Sequence, residues 1–207
     1  VREAAWLSNE TRRNVRDCVA AIEACSAAEV VVTVSVSSGH YRHADYLAGS
    51  LMSLAALLLY FFYPEPVFDD IAVIVVVASF GVGALLSAAI PGLRRLLVSR
   101  RVMADNVGKT ARACFVDQRI AETMGRTGIL VYVSLFERRV EVVADSAVPT
   151  TQLGQRWSEA VRNLETAAKR GVEPFLQALA SLGAMLGEAL PRRPDDINEL
   201  SDDMVQR

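Results

Sequence analysis

The reading of the fold turns on one stretch, RTGILVYVSLFERRVEVVAD, residues Arg126 to Asp145. Ile129, Val131, Val133 and Leu135 fall on one face of an extended chain, and Leu130 and Tyr132 fall on the other. That period of two, apolar on both sides, describes a strand covered on both faces. Phe136 to Arg139 make a charged turn, Val140 to Ala144 return, and an aspartate, Asp145, closes the second strand. The stretch is therefore a hairpin inside a sheet.

Working outward, EVVVTVSVSS repeats the pattern upstream. Val30, Val32, Val34 and Val36 share one face, and Val31, Thr33 and Ser35 share the other. Before it, Ser8 to Ala24 reads as a helix with Ser8 as N-cap and Val15, Cys18, Val19 and Ile22 on one side. Ser99 to Met124 reads as a long helix with Val107, Ala111, Cys114 and Phe115 inward, stopped by Gly125. Two amphipathic helices follow the hairpin. The first carries Trp157, Val161, Leu164 and Ala168; the second, with Pro174 in its opening turn, carries Phe175, Leu179, Leu182, Leu186 and Leu190. The tail PRRPDDINELSDDMVQR is polar and reads as extended or frayed. The class is α/β, with few strands and helices on both faces.

The chain is 207 residues long and 52% hydrophobic, high for a soluble domain, with a formal charge of −2. No global basic excess supports nucleic-acid binding. The apolar excess has two sources, YLAGSLMSLAALLLYFFY (46–63) and IAVIVVVASFGVGALLSAAI (71–90), both free of charge. Each approaches the length that crosses ~30 Å of hydrocarbon as a helix. Tyr46, Tyr60, Phe61, Phe62 and Tyr63 suit the interfaces. The connector carries Glu65, Asp69 and Asp70, whereas Arg42 precedes the first segment and Arg94, Arg95, Arg100 and Arg101 follow the second. The positive-inside bias then places both chain ends in the cytoplasm. No ionisable residue lies within either segment to mark an ion path, so the pair reads as an anchor. The division expected is 1–45 and 91–190 as two parts of one domain, 46–90 as a membrane hairpin, and 191–207 as a polar tail.

Three cysteines, Cys18, Cys25 and Cys114, form no CxxC, and an odd number fits a reducing compartment. Cys18 and Cys25 are about 10 Å apart along a helix, too far for a disulfide. A chain beginning at Val1 reads as trimmed, processed, or started at a non-AUG codon.

The hairpin resembles the signature of the TPM domain family, named after a thylakoid lumen protein, a photosystem repair factor and a worm receptor modulator. The residues that carry the resemblance are Arg119-Ile120 closing a helix, the turn Arg126-Thr127-Gly128, the buried strand, then ERRVE and a strand ending in Ala144-Asp145. The closing PDDINELSDD is similar to the end of bacterial membrane-linked members. The resemblance implies an α/β/α sandwich around a small central sheet, here interrupted by a two-helix transmembrane hairpin in a bacterial inner membrane. Members of the family include acid phosphatases, calcium-binding proteins, and assembly or repair factors of membrane complexes. Only Asp145 matches a family aspartate by position, and Ser146-Ala147 stand where Arg-Gly is common.

Candidate sites follow from these readings. Asp145 is a metal ligand, for a divalent cation such as calcium, or a strand-end residue capping the turn before the helix at Thr150; Glu137 and Glu141 alternate along the chain and do not complete a calcium shell. His40, His43 and Asp45 are a weak transition-metal set or an interfacial collar. Arg94, Arg95, Arg100 and Arg101 are topology determinants that also suit anionic headgroups. Gly49, Ser53, Gly81 and Gly83 permit close helix packing with a membrane partner or a second copy. Glu137, Arg138 and Arg139 read as a solvated hairpin tip, whose arginine pair suits a partner's carboxylates. No GxSxG, HxxEH, P-loop or Gly-rich dinucleotide turn is present. The function expected is a non-enzymatic, membrane-anchored scaffold that assembles or modulates a membrane complex. The alternative is a metal-dependent phosphohydrolase or calcium-binding domain.

Overall fold

A computed structural model of the chain describes residues 2–63, 69–192, 200 and 203–206. Glu65, the side chains of Asp69 and Asp70, and most of the PDDINELSDD motif lie outside the described residues. The chain divides by its internal contacts into two units, 1–38 with 104–207, and 39–103.

The first unit is a mixed α/β arrangement on a four-stranded sheet of order β3-β2-β1-β4. β1 (Glu29–Ser35) pairs in parallel with β2 (Gly128–Ser134), Val32 opposite Val131. β2 pairs antiparallel with β3 (Arg139–Ala144), as a short turn requires. All seven residues of β1 and all seven of β2 are buried, as their two-sided apolar pattern demands. On one face Val30, Val32, Val34, Ile129, Val131 and Val133 meet α2 (Asn9–Cys25), α8 (Gln155–Arg170) and α9 (Val172–Ala189). On the other, Val31, Leu130 and Tyr132 meet Val107, Ala111 and Cys114 of α6 (Arg100–Asp117). Short helices α1 (Arg2–Trp6) and α7 (Thr150–Leu153) complete the unit.

Ser8 caps α2 by accepting from Thr11 N at 3.1 Å. Trp6 packs edge-on to Phe175, ring centroids 5.1 Å apart. α2 and α9 touch closely because Gly183 lies where any side chain would run into Ile22.

Two expectations change. α6 ends at Asp117, not near Met124. Arg119 turns left-handed (φ 56°), and a 3₁₀ turn, Ile120–Glu122, follows. Its Ile120 is fully buried against β2, and the Ile120 carbonyl lies so near Gly128 that a Cβ there would overlap it. Gln118 Nε2 donates to Thr33 Oγ1 at 3.0 Å, drawing the end of α6 down to the sheet. The tail is also part of the fold. Met204 is buried in the larger core, and β4 (Val205–Gln206) adds in parallel to β1 opposite Thr33 and Val34. Arg12 Nη2 donates to Gln206 Oε1 at 2.9 Å and fixes that edge.

The second unit contains α3 (Arg42–Phe62), α4 (Asp69–Ala89) and α5 (Pro91–Leu97). α3 and α4 are each 21 residues long and pack on one another. The second apolar run is broken at Ile90, where Pro91 opens α5.

Candidate functional site

In the two-helix unit the ordinary distribution of residues is reversed. Leu59, Phe62, Ile74, Val77 and Leu85 are each at least two-thirds exposed, and only 11% of each helix's most apolar stretch is buried. Both helices are long and apolar enough to cross a membrane. A soluble core helix of this composition would be mostly covered, and soluble monomers keep apolar patches to a few hundred Å². Small and polar residues let α3 and α4 approach closely, with the Phe80 ring lying against Gly49 and Met52 against Gly83. A Cβ on Gly83 would lie 2.7 Å from Ala48 O and 3.0 Å from Gly49 Cα, and one on Gly49 would lie 2.8 Å from Phe80 O. Ser53 Oγ donates to Val76 O across the pair at 2.8 Å. Gly49, Ser53 and Gly83 therefore serve the packing of the hairpin on itself. Gly81 has nothing within 4 Å of its Cβ position and stays on the outer surface. Toward the connector the helices part around an apolar groove of about 400 Å³ lined by Met52, Leu59, Tyr60, Tyr63, Ile71 and Val75.

At the other end the unit is fastened by charge. Arg94 on α5 donates to both oxygens of Asp45 on α3, from Nε at 2.9 Å and from Nη2 at 2.7 Å. Ser87 Oγ, fully buried on α4, donates to Asp45 Oδ1 at 2.8 Å. One carboxylate thus holds three helices. Arg94 is engaged by Asp45, whereas Arg100 and Arg101 stand exposed at the start of α6 and Arg95 is half-buried on α5. The His40, His43, Asp45 set does not converge. His43 lies edge-on to Tyr41, and both oxygens of Asp45 are occupied. Among the described residues no three His, Cys, Asp or Glu side chains are grouped to hold a metal ion.

In the α/β unit, Asp145 sits at the end of the sheet where β1 and β2 begin, its N–H donating to Gly128 O at 2.9 Å. Its Oδ1 accepts from Ser146 N at 2.6 Å, and its Oδ2 lies 3.8 Å from Arg126 Nη1. That Oδ2 and Thr123 Oγ1 are buried without a hydrogen-bond partner. The side chain stabilises its own turn. That turn, in which Val148 N also donates to Asp145 O at 3.2 Å, precedes the helix at Thr150. A calcium ion does not fit these residues. Among the described residues no three His, Cys, Asp or Glu side chains gather here, Arg126 Nη1 stands 3.8 Å from the inner oxygen, and six or more oxygens are needed.

The opposite end of the sheet holds a polar cluster that pattern reading missed. Glu137 is buried, not solvated. Its Oε1 accepts from Ser38 N at 2.9 Å and Ser37 Oγ at 3.4 Å, and its Oε2 accepts from Ser134 Oγ. Ser38 Oγ bonds Tyr132 Oη at 3.0 Å, and Thr110 Oγ1 donates to Ser38 O at 3.1 Å. The signal was present in sequence as SVSS after β1 and as Tyr132 and Ser134 on one face of β2. The cluster stands where β1 and β2 both end, the edge of an α/β sheet at which sites gather. It fixes the point, Ser38, at which the chain leaves this unit.

These features define a class: a mixed α/β protein on a small sheet, carrying an apolar two-helix unit within its chain. The chain is similar in structure to the BA42 protein of the psychrophilic bacterium Bizionia argentinensis, determined by NMR. The TM-score is 0.59, the identity 13%, and the likeness covers 98% of this chain and 96% of that one. At that identity the likeness is one of fold. No family model matches the chain, and no curated protein matches it.

Proposed function

We propose that this protein is a membrane-anchored interaction module. α3 and α4 cross a bilayer as a hairpin, both chain ends lie in the cytoplasm of a bacterial inner membrane, and the α/β unit acts as a TPM-like α/β/α sandwich that scaffolds or modulates a membrane complex. The observation that carries this reading is the reversed hairpin. Glycine, serine and an ion pair are spent on its inner contacts, while leucine, valine and phenylalanine are left outside. Such an arrangement is unfavourable in water and suited to lipid, where packing and polar contacts rather than apolar burial hold helices together. Gly81, open on the outer surface, offers a close approach to a further helix.

The test is native mass spectrometry of the protein extracted from its own membranes in mild detergent. A stoichiometric membrane-protein partner, or a homo-oligomer, supports the module. Recovery in the soluble fraction without detergent overturns the anchor. A lone chain that turns over a phosphomonoester with added metal, and loses that activity on Asp145→Asn, replaces the scaffold with a phosphohydrolase.

A further inference from the structure

β3 is the last strand of the sheet, and among the described residues no strand pairs with its outer edge. The register fixes which backbone groups face that edge. Asp145 N donates to Gly128 O at 2.9 Å, so Val143 and Glu141, two and four residues back, also turn their N–H and C=O groups toward β2. Val142 and Ala144 turn theirs outward, and both residues are half-buried. Val140, nearer the tip, is buried, which leaves the stretch from Glu141 to Ala144 as the open edge. Folded proteins commonly blunt such an edge with proline, lysine or a bulge. VEVVA (140–144) contains neither proline nor lysine, and its pairing with β2 runs without a bulge.

Along this edge lies a groove of about 430 Å³ between β3 and α8, lined by Glu141, Val142, Trp157, Ser158, Val161 and Arg162. In an added strand the residue opposite Val142 shares its face, which is the face on which Trp157 packs. An apolar side chain there is received by Trp157 and Val161. Glu141 lies on the strand side of the groove and Arg162 on the helix side, and among the described residues neither is in an ion pair. A complementary segment thus carries a basic residue toward Glu141 and an acidic one toward Arg162.

A second copy of the chain does not suit this edge. Two copies joined through β3 would set those strands about 4.8 Å apart, with both α8 helices on one face of the continuous sheet. Each α8 packs on its own β3, and packed helix axes need about 8–10 Å, so the two would crowd one another. A lone extended segment brings no helix with it.

We propose that the β3 edge receives an extended segment of a partner protein, added as a fifth strand, with an apolar side chain in the groove between a basic and an acidic neighbour. Main-chain bonds to Val142 and Ala144 hold the segment, and the groove selects it. The inference rests on the interaction-module reading and names its docking surface; it does not require the anchor.

The test uses the full chain in detergent micelles and amide hydrogen exchange resolved by residue. The probe is a short capped peptide of alternating valine and threonine, with leucine at its centre and one lysine and one glutamate beside it. With free peptide at about ten times its Kd, the Val142 and Ala144 amides exchange about tenfold more slowly, while those of Glu141 and Val143, already bonded to β2, do not change. Val142→Pro removes an outward donor without removing a bond to β2, and abolishes the effect. Arg162→Glu, on the exposed surface of α8, weakens the peptide on the order of fivefold. Slow exchange at Val142 and Ala144 before peptide is added, at every protein concentration, means that the chain covers its own edge and overturns the proposal. Slowing that grows with protein concentration makes the occupant a second copy and overturns the partner segment. No response up to millimolar peptide, or a response at Val205 and Gln206 in place of β3, overturns it as well. A stoichiometric partner found by native mass spectrometry that leaves the Val142 and Ala144 amides unchanged overturns this edge and leaves the interaction module standing.

Discussion

Phe175 and Phe62 are the same side chain in opposite situations, one on α9 fully buried against Trp6, the other 83% exposed at the end of α3. The contrast runs through both units. The α/β unit encloses valine, leucine and phenylalanine on both faces of its sheet and leaves Arg, Glu and Lys outside on α8. The two-helix unit encloses glycine, serine and an Asp–Arg pair and leaves its large apolar side chains uncovered. Glycine shows the common element. Gly183 lets α2 and α9 touch in the first unit, and Gly49 and Gly83 let α3 and α4 touch in the second. Close backbone approach is useful in either solvent; what surrounds it reports which solvent the unit is made for.

The largest effect expected separates the two phenylalanines. Phe175→Ala removes a fully buried ring and costs about 3–5 kcal/mol, whereas Phe62→Ala stays within about 0.5 kcal/mol, both read by denaturant unfolding in detergent micelles. A large loss at Phe62 would mean that the outer face of α3 is covered by protein, and the contrast between the units would fail.

A smaller effect divides the glycines. Gly83→Leu forces α3 and α4 apart and costs up to about 3 kcal/mol through overpacking, while Gly81→Leu leaves stability within about 0.5 kcal/mol. Gly81→Leu instead weakens association with the proposed membrane partner, measured by co-purification. If Gly83→Leu were silent in thermal melts, the tight crossing of α3 and α4 would not exist; if Gly81→Leu left association intact, the open glycine would have no role in it.

The smallest effect concerns the Asp45–Arg94 pair. Arg94 is 29% exposed and Asp45 14%, so solvent screening reduces its worth to on the order of 1 kcal/mol. Asp45→Ala, Arg94→Ala and the double variant form a cycle whose coupling should have that size, read from melting of the helical signal. Zero coupling would show that α5 is held to α3 and α4 by packing alone.

How much of this was legible in sequence depends on the range of the interaction. The Ser8 cap and the two-sided strands rest on neighbours within a few residues, and periodicity finds them; the turn read at Phe136–Arg139 lies one residue earlier, because Arg139 already pairs in β3. The charge-free segments were equally plain, though their boundaries shifted where Arg42 to Asp45 joined α3 and Pro91 closed the second run. Asp145 was visible as a turn residue, but its partner Arg126 was not, because that pairing depends on β3 returning beside the start of β2.

By itself, then, the sequence determined the three longer strands, the main helices and the two charge-free segments, because those are properties of local period and composition. Only the tertiary structure decided the rest. It placed β4 against β1, because a two-residue strand has no pattern of its own and exists through the edge it meets. It ended α6 early, because burying Ile120 and bonding Gln118 to Thr33 outweighed seven more residues of helix. It buried Glu137 among serines that lie about a hundred positions away in the chain, and it set Arg94 on Asp45. A charged side chain's environment is fixed by what the fold brings to it, and a one-dimensional pattern carries no record of that.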